Sequence, residues 1–157
     1  MDLFTDEHRQ FLTAMLNNKV SFMLIGGYAV IHYGYERLTT DMDIWLKPDN
    51  SNRDHFINAL KEFGIEESDI EHLSSMDFTD AQVFFFGKVP RRIDFLTKVS
   101  GIDFDEAIAQ VNFFVFQDIK IPVIHYHHLI RTKMNTGRLK DKADIEELEK
   151  INKYRKE

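Results

Sequence analysis

Two aspartates one residue apart, Asp41 and Asp43, lie inside the apolar run at residues 40–46. Side chains at i and i+2 of a strand share a face, so Thr39, Asp41 and Asp43 would point one way while Met42 and Ile44 turn into the core. Aspartate is disfavoured in strands. Two ionised carboxylates about 4 Å apart also repel by ~4 kcal/mol at an effective dielectric of about 20. A fold keeps such a pair by protonating one member, adding a basic partner or binding a cation. Magnesium suits this arrangement, with manganese as the alternative ion, because it takes a few carboxylate oxygens and completes its shell with substrate phosphates. A third aspartate, Asp94, is embedded in Arg91-Arg92-Ile93-Asp94-Phe95-Leu96. If that strand neighbours the first, three carboxylates converge, enough for two metals; the competing reading pairs Asp94 with Arg91 or Arg92 at the surface.

Upstream, an apolar run ends in Gly26-Gly27, where a strand gives way to a helix. Glycine there lets a phosphate approach the backbone, and a helix start offers unpaired N–H donors. A tight turn needing positive φ would also use it. There is no Gly-Lys-Ser/Thr phosphate loop and no GxGxxG. Arg37 and the hydroxyls of Thr39 and Thr40 add candidate phosphate contacts, unless Arg37 only balances the aspartates. A phosphate turn and a carboxylate pair so close together point to chemistry on a nucleoside triphosphate.

Asp-x-Asp recurs at Asp103/Asp105, after Ser100-Gly101 and before Glu106-Ala107, where helix capping accounts for it. His125, His127 and His128 lack a further ligand at helical spacing and read as a polar helix start rather than a zinc site. Phe84-Phe85-Phe86 and Phe113-Phe114 read as sheet core; a base-stacking surface would carry interleaved basic residues.

The elements that must position these residues follow from pattern. Apolar residues at helical spacing predict helices over 6–16, 28–33, 53–63, roughly 127–134 and 140–154, with a short one capped by Asp103 or Asp105 and running to Gln110. Strands are expected at 20–25, 40–46, 82–86, 91–96, 112–116 and 120–124, the third and fourth joined through Gly87-Lys88-Val89-Pro90. Residues 65–79 are poorly patterned and read as loop. The alternation predicts one α/β (α+β) domain over 1–157, with a mixed β-sheet flanked by helices and C-terminal helices last.

Bulk properties agree. The chain has 157 residues, 43% hydrophobic and 29% charged, as expected for one globular core. No apolar run is long enough to span a membrane. The acidic start MDLFTDEH does not resemble a signal peptide, and the absence of cysteine fits a cytoplasmic protein. A net charge of −6 argues against broad nucleic-acid binding. Against that trend, Arg131, Lys133, Arg138, Lys140 and Lys142 cluster around one acid, Asp141; a solvated helical surface would look the same.

Together, Gly26-Gly27, Arg37-x-Thr39-Thr40-Asp41-x-Asp43 and Asp94 resemble the polymerase-β-like nucleotidyltransferase superfamily. The tail Leu129-Ile130-Arg131-x-Lys133…Gly137-Arg138-x-Lys140-Asp141-x-x-Asp144-Ile145 is most similar to the small bacterial branch that includes abortive-infection AbiEii-type proteins. The resemblance spans residues 20–148. It implies a nucleotidyltransferase-like fold in which Asp41, Asp43 and Asp94 ligate the metals and Asp94 polarises the acceptor hydroxyl. Gly26, Gly27 and Thr40 would receive the triphosphate, and Lys133, with Arg138 or Lys140, would lie over the phosphates. Asp141 and Asp144 would anchor the C-terminal helices through ion pairs. The implied activity is transfer of a nucleoside monophosphate from an NTP to an acceptor the residues do not name: protein, RNA or a small molecule. The alternatives are a non-catalytic nucleotide-binding module and the toxin of a toxin–antitoxin pair, which adds an antitoxin partner. A homodimer is compatible with either.

Overall fold

The computed structural model of the chain describes residues 4–39, 41–87 and 92–155. The element order is α1 (Asp6–Asn17), β1 (Phe22–Ile25), α2 (Gly26–His32), β2 (Asp41–Leu46), α3 (Asn50–Phe63), α4 (Glu67–Ser74), β3 (Val83–Phe86), β4 (Arg92–Leu96), α5 (Phe104–Ile108), β5 (Asn112–Phe116), β6 (Ile119–Val123), α6 (Tyr126–Met134) and α7 (Leu139–Arg155). The six strands form one mixed sheet ordered β3-β4-β2-β1-β6-β5. β2 runs parallel to β4 and antiparallel to β1, and β1 runs parallel to β6.

Alternation along the strands gives the sheet two faces. On one, Phe84, Phe95, Ile44 and Leu24 fall in register across four strands. Helices close this face: Phe11 of α1 and Phe56 of α3 set their rings 5.8 and 5.1 Å from that of Phe95. The other face carries Asp41, Asp43, Asp94 and Leu96, with Phe104 of α5 edge-on to Trp45 at 5.2 Å.

Local chemistry sets the element ends. Thr5 and His8 form a reciprocal capping box at the start of α1. Asp49 caps α3 by accepting from the Asn52 N–H at 2.7 Å, and Gly64 ends it in a left-handed conformation. α3 therefore begins at Asn50, ahead of the expected start at Arg53. Residues 65–79 are not all loop: α4 occupies Glu67–Ser74, and only Ile70 and Leu73 are buried along it. Two apolar residues on one turn were too short a pattern to reveal it. The phenylalanine runs also divide: Phe84, Phe86 and Phe114 pack on the core, whereas Phe85 and Phe113 point to solvent. The expected connection through Lys88-Val89-Pro90 lies outside the described residues. Among the described residues, no helix is long and apolar enough to cross a membrane.

Candidate active site

Register brings the carboxylates together. β2 and β4 align Asp43 with Asp94, and β1 places Ile25, the residue before the glycine turn, opposite Asp43. Asp41 follows two residues back on the same face. A cavity of about 650 Å³ opens over them, lined by Gly26, Gly27, Arg37, Asp41, Asp43, Asp94, Lys133, Arg138 and Lys140. Nine expected site residues thus border one space, while Thr40 lies outside the described residues.

A side chain at either glycine would have to displace a neighbouring side chain. Gly26 has φ +64°, and a Cβ there would stand 2.2 Å from Oδ2 of Asp43. A Cβ on Gly27 would stand 2.4 Å from Oγ1 of Thr39. The turn therefore lies directly against the carboxylate strand, and the two motifs of the sequence form one surface.

The acidic cluster is electrostatically tense. Burial, then the charges of Asp94 and Asp41, push the Asp43 carboxyl up to about 6, against the pull of Lys133 and Lys140. Burial and then the charge of Asp41 raise the Tyr28 hydroxyl. Oδ1 of Asp41 is buried and has no hydrogen-bond partner among the described residues. Asp94 accepts from Nε of Arg92 at 2.8 Å, so it is both beside Asp43 and paired with arginine.

The basic residues are less available than their number suggests. Lys133, expected over the phosphates, lines the cavity, and its buried ammonium donates to Asp141 and to Asp144, each at 2.9 Å. Arg37 likewise balances Asp144, not the Asp41/Asp43 pair, through Nε at 2.8 Å and Nη2 at 2.9 Å. Arg138 donates to Asp141 at 2.7 Å while most of its side chain stays exposed. Burial raises the Asp141 carboxyl, but hydrogen bonds from Thr136 and Lys133, the Lys133 charge and Arg138 outweigh it and leave it at about 2. These pairs lock α6 and α7 to the segment before β2, forming one wall of the cavity.

Sequence reasoning missed Lys98 and Thr136 in the lining. The period-2 march Asp94, Leu96, Lys98 was a usable signal for the first. Asp103 takes the N-cap position of α5 without a side-chain capping bond. His125 caps α6 by accepting from the His127 N–H at 3.1 Å, in keeping with a polar helix start.

Among the described residues, no three acidic or histidine side chains form a preformed metal cage. The donor set still fits a hard divalent cation that takes part of its shell from a substrate: Asp41 offers an unpartnered buried oxygen and Asp43 is strained by uncompensated negative charge.

A glycine turn thus stands against a carboxylate strand on the wall of one cavity. The profile of the family described as "Nucleotidyl transferase of unknown function (DUF2204)" matches residues 5–157, and the chain belongs to that family. Among solved structures, the fold is similar to that of the lincosamide antibiotic adenylyltransferase LnuA in a lincomycin-bound crystal structure. The TM-score is 0.55 at 17% identity, over 96% of this chain and 99% of that one. Comparison with curated proteins gives no match. The protein is a nucleotidyltransferase.

Proposed function

We propose that the protein moves a nucleoside monophosphate, with ATP as the favoured donor, onto a hydroxyl of a small acceptor in a divalent-cation-dependent reaction. The observation that carries this reading is the parallel register of Asp43 with Asp94, beside Asp41 and against Gly26. The adenylyltransferase of similar fold, solved with lincomycin, supports adenylyl transfer and a small acceptor.

Asp41 and Asp43 would hold a magnesium ion, with Asp94 contributing while it stays paired with Arg92. When bound there, the ion supplies charge neutralisation for the triphosphate and the leaving pyrophosphate. The chain's own groups do the rest. Gly26 and Gly27 let the phosphates lie against backbone N–H groups. Arg138 and Lys140, exposed residues that line the cavity, would meet the outer phosphates. Arg37 and Lys133, fixed by Asp144 and Asp141, hold the wall in place and add positive potential. The acceptor oxygen bonds to the α-phosphorus as the bond to the bridging oxygen breaks. Pyrophosphate departs with that electron pair, and the hydroxyl proton passes to Asp94. Positioning and preorganised charge supply most of the acceleration.

The test is transfer from ATP radiolabelled at its α-phosphate into a small-molecule extract, with magnesium. Transfer by the wild type, lost in Asp43→Asn and on chelation, supports the reading. Equal transfer by wild type and variant, or transfer unaffected by chelation, contradicts it.

A further inference from the structure

The sheet order gives the reaction a direction. The glycine turn follows β1, the carboxylates stand on β2 and β4, and β3 is the edge beyond them. An in-line displacement places the attacking and leaving oxygens on opposite sides of the α-phosphorus. If pyrophosphate leaves over the β1 turn, the acceptor must arrive from the β3 side. Phe85 is the direct cross-strand partner of Asp94, and Val83 of Leu96, all on the carboxylate face.

That approach is apolar. Val83 is 78% and Phe85 55% exposed, next to the half-buried Leu96, which also lines the cavity. The guanidinium of Arg92 lies 4.0 Å over the Phe85 ring while bonding Asp94, so the ring is pinned beside the carboxylate. Nothing in the folding of the core requires Val83 or Phe85 to be apolar, since both face away from it.

We infer that Val83, Phe85 and Leu96 form the acceptor subsite, and that the acceptor is a small hydroxylated molecule with an apolar or aromatic face. This rests on the nucleotidyl-transfer reading above and adds the acceptor's chemistry to it. RNA is disfavoured because, among the described residues, β3 and β4 carry one cation, Arg92, already committed to Asp94, with Lys98 the next one beyond them. A protein acceptor is disfavoured because three side chains are far fewer than the roughly 20–30 residues a side of a stable protein interface. Docked on the strip, the molecule presents its hydroxyl to Asp94 while its apolar face loses water against Phe85.

The experiment uses α-phosphate-labelled ATP, magnesium and a cell extract separated into macromolecules, small molecules retained on a reverse-phase column and small molecules not retained. The acceptor is predicted in the retained fraction. At subsaturating extract, Val83→Ser/Phe85→Ser lowers transfer by about tenfold, Phe85→Tyr restores most of it, and the KM for ATP is unchanged. Four results overturn the inference: label only in unretained small molecules, label only in protein or RNA, wild-type transfer by the double variant, or no label anywhere while nucleotide still binds. The third includes the case in which the strip serves only self-association. Absence of magnesium-dependent ATP binding by calorimetry would instead mark failure of the underlying nucleotide reading.

Discussion

At the scale of single residues, the site stores repulsion. Asp43 is ionised only at a cost, since its folded-state carboxyl sits at about 6 against 3.8 outside the protein. The raised value means that Asp43 favours folding below the unfolded value, and that this contribution is lost as pH rises through about 6. The metal-free protein should therefore lose up to about 3 kcal/mol of stability from this group between acidic and mildly alkaline buffer. Asp43→Asn removes the charge, so it should raise the metal-free Tm in mildly alkaline buffer while abolishing transfer. Calorimetric melting at several pH values checks both the sign and the window. Gly26→Ala makes a different prediction. Its φ of +64° costs a residue with a Cβ about 1–2 kcal/mol, and the new methyl must displace the Asp43 carboxylate. Modest loss in urea unfolding combined with a much larger loss of nucleotide affinity is expected; a purely structural turn would lose only stability.

At the scale of elements, the C-terminal helices are tied to the site by charges that lie far apart in sequence. Asp144, 2% exposed in its side chain, accepts from Arg37 and Lys133. Removing Asp144 strips the mostly buried Arg37 of its carboxylate and leaves Lys133 with Asp141 alone, so Asp144→Ala should cost about 3 kcal/mol in urea unfolding. A loss below 1 kcal/mol, about that of an exposed pair, would contradict the wall described here. This network also marks where the sequence stopped being legible. Asp141 and Asp144 could be read as helix anchors, but the partner of Asp144 107 positions away could not. The resemblance implied a phosphate role for Lys133, but nothing in the sequence shows which carboxylates its ammonium pairs with. Helices α1 and α3 were readable because their apolar stripes are local, though the Asp49 cap of α3 was not, whereas α4 has one turn of apolar signal.

At the scale of the whole molecule, the mixed sheet flanked by helices was legible from alternating patterns, but its strand order was not. Order decides function here. Asp94 could be named from an aspartate out of place in an apolar strand, yet only the β2–β4 pairing puts it beside Asp43 rather than at a remote edge. Period-2 alternation was likewise needed to separate Phe85, on the carboxylate face, from its neighbours Phe84 and Phe86, which pack against the core. The central claim is that Asp41 and Asp43 bind nucleotide through a divalent cation. Isothermal titration with a non-hydrolysable ATP analogue, with and without magnesium, tests it in wild type and in Asp41→Ala/Asp43→Ala. Magnesium-dependent binding by the wild type, weakened at least about tenfold in the variant, is predicted; equal, metal-independent binding by both would contradict the account.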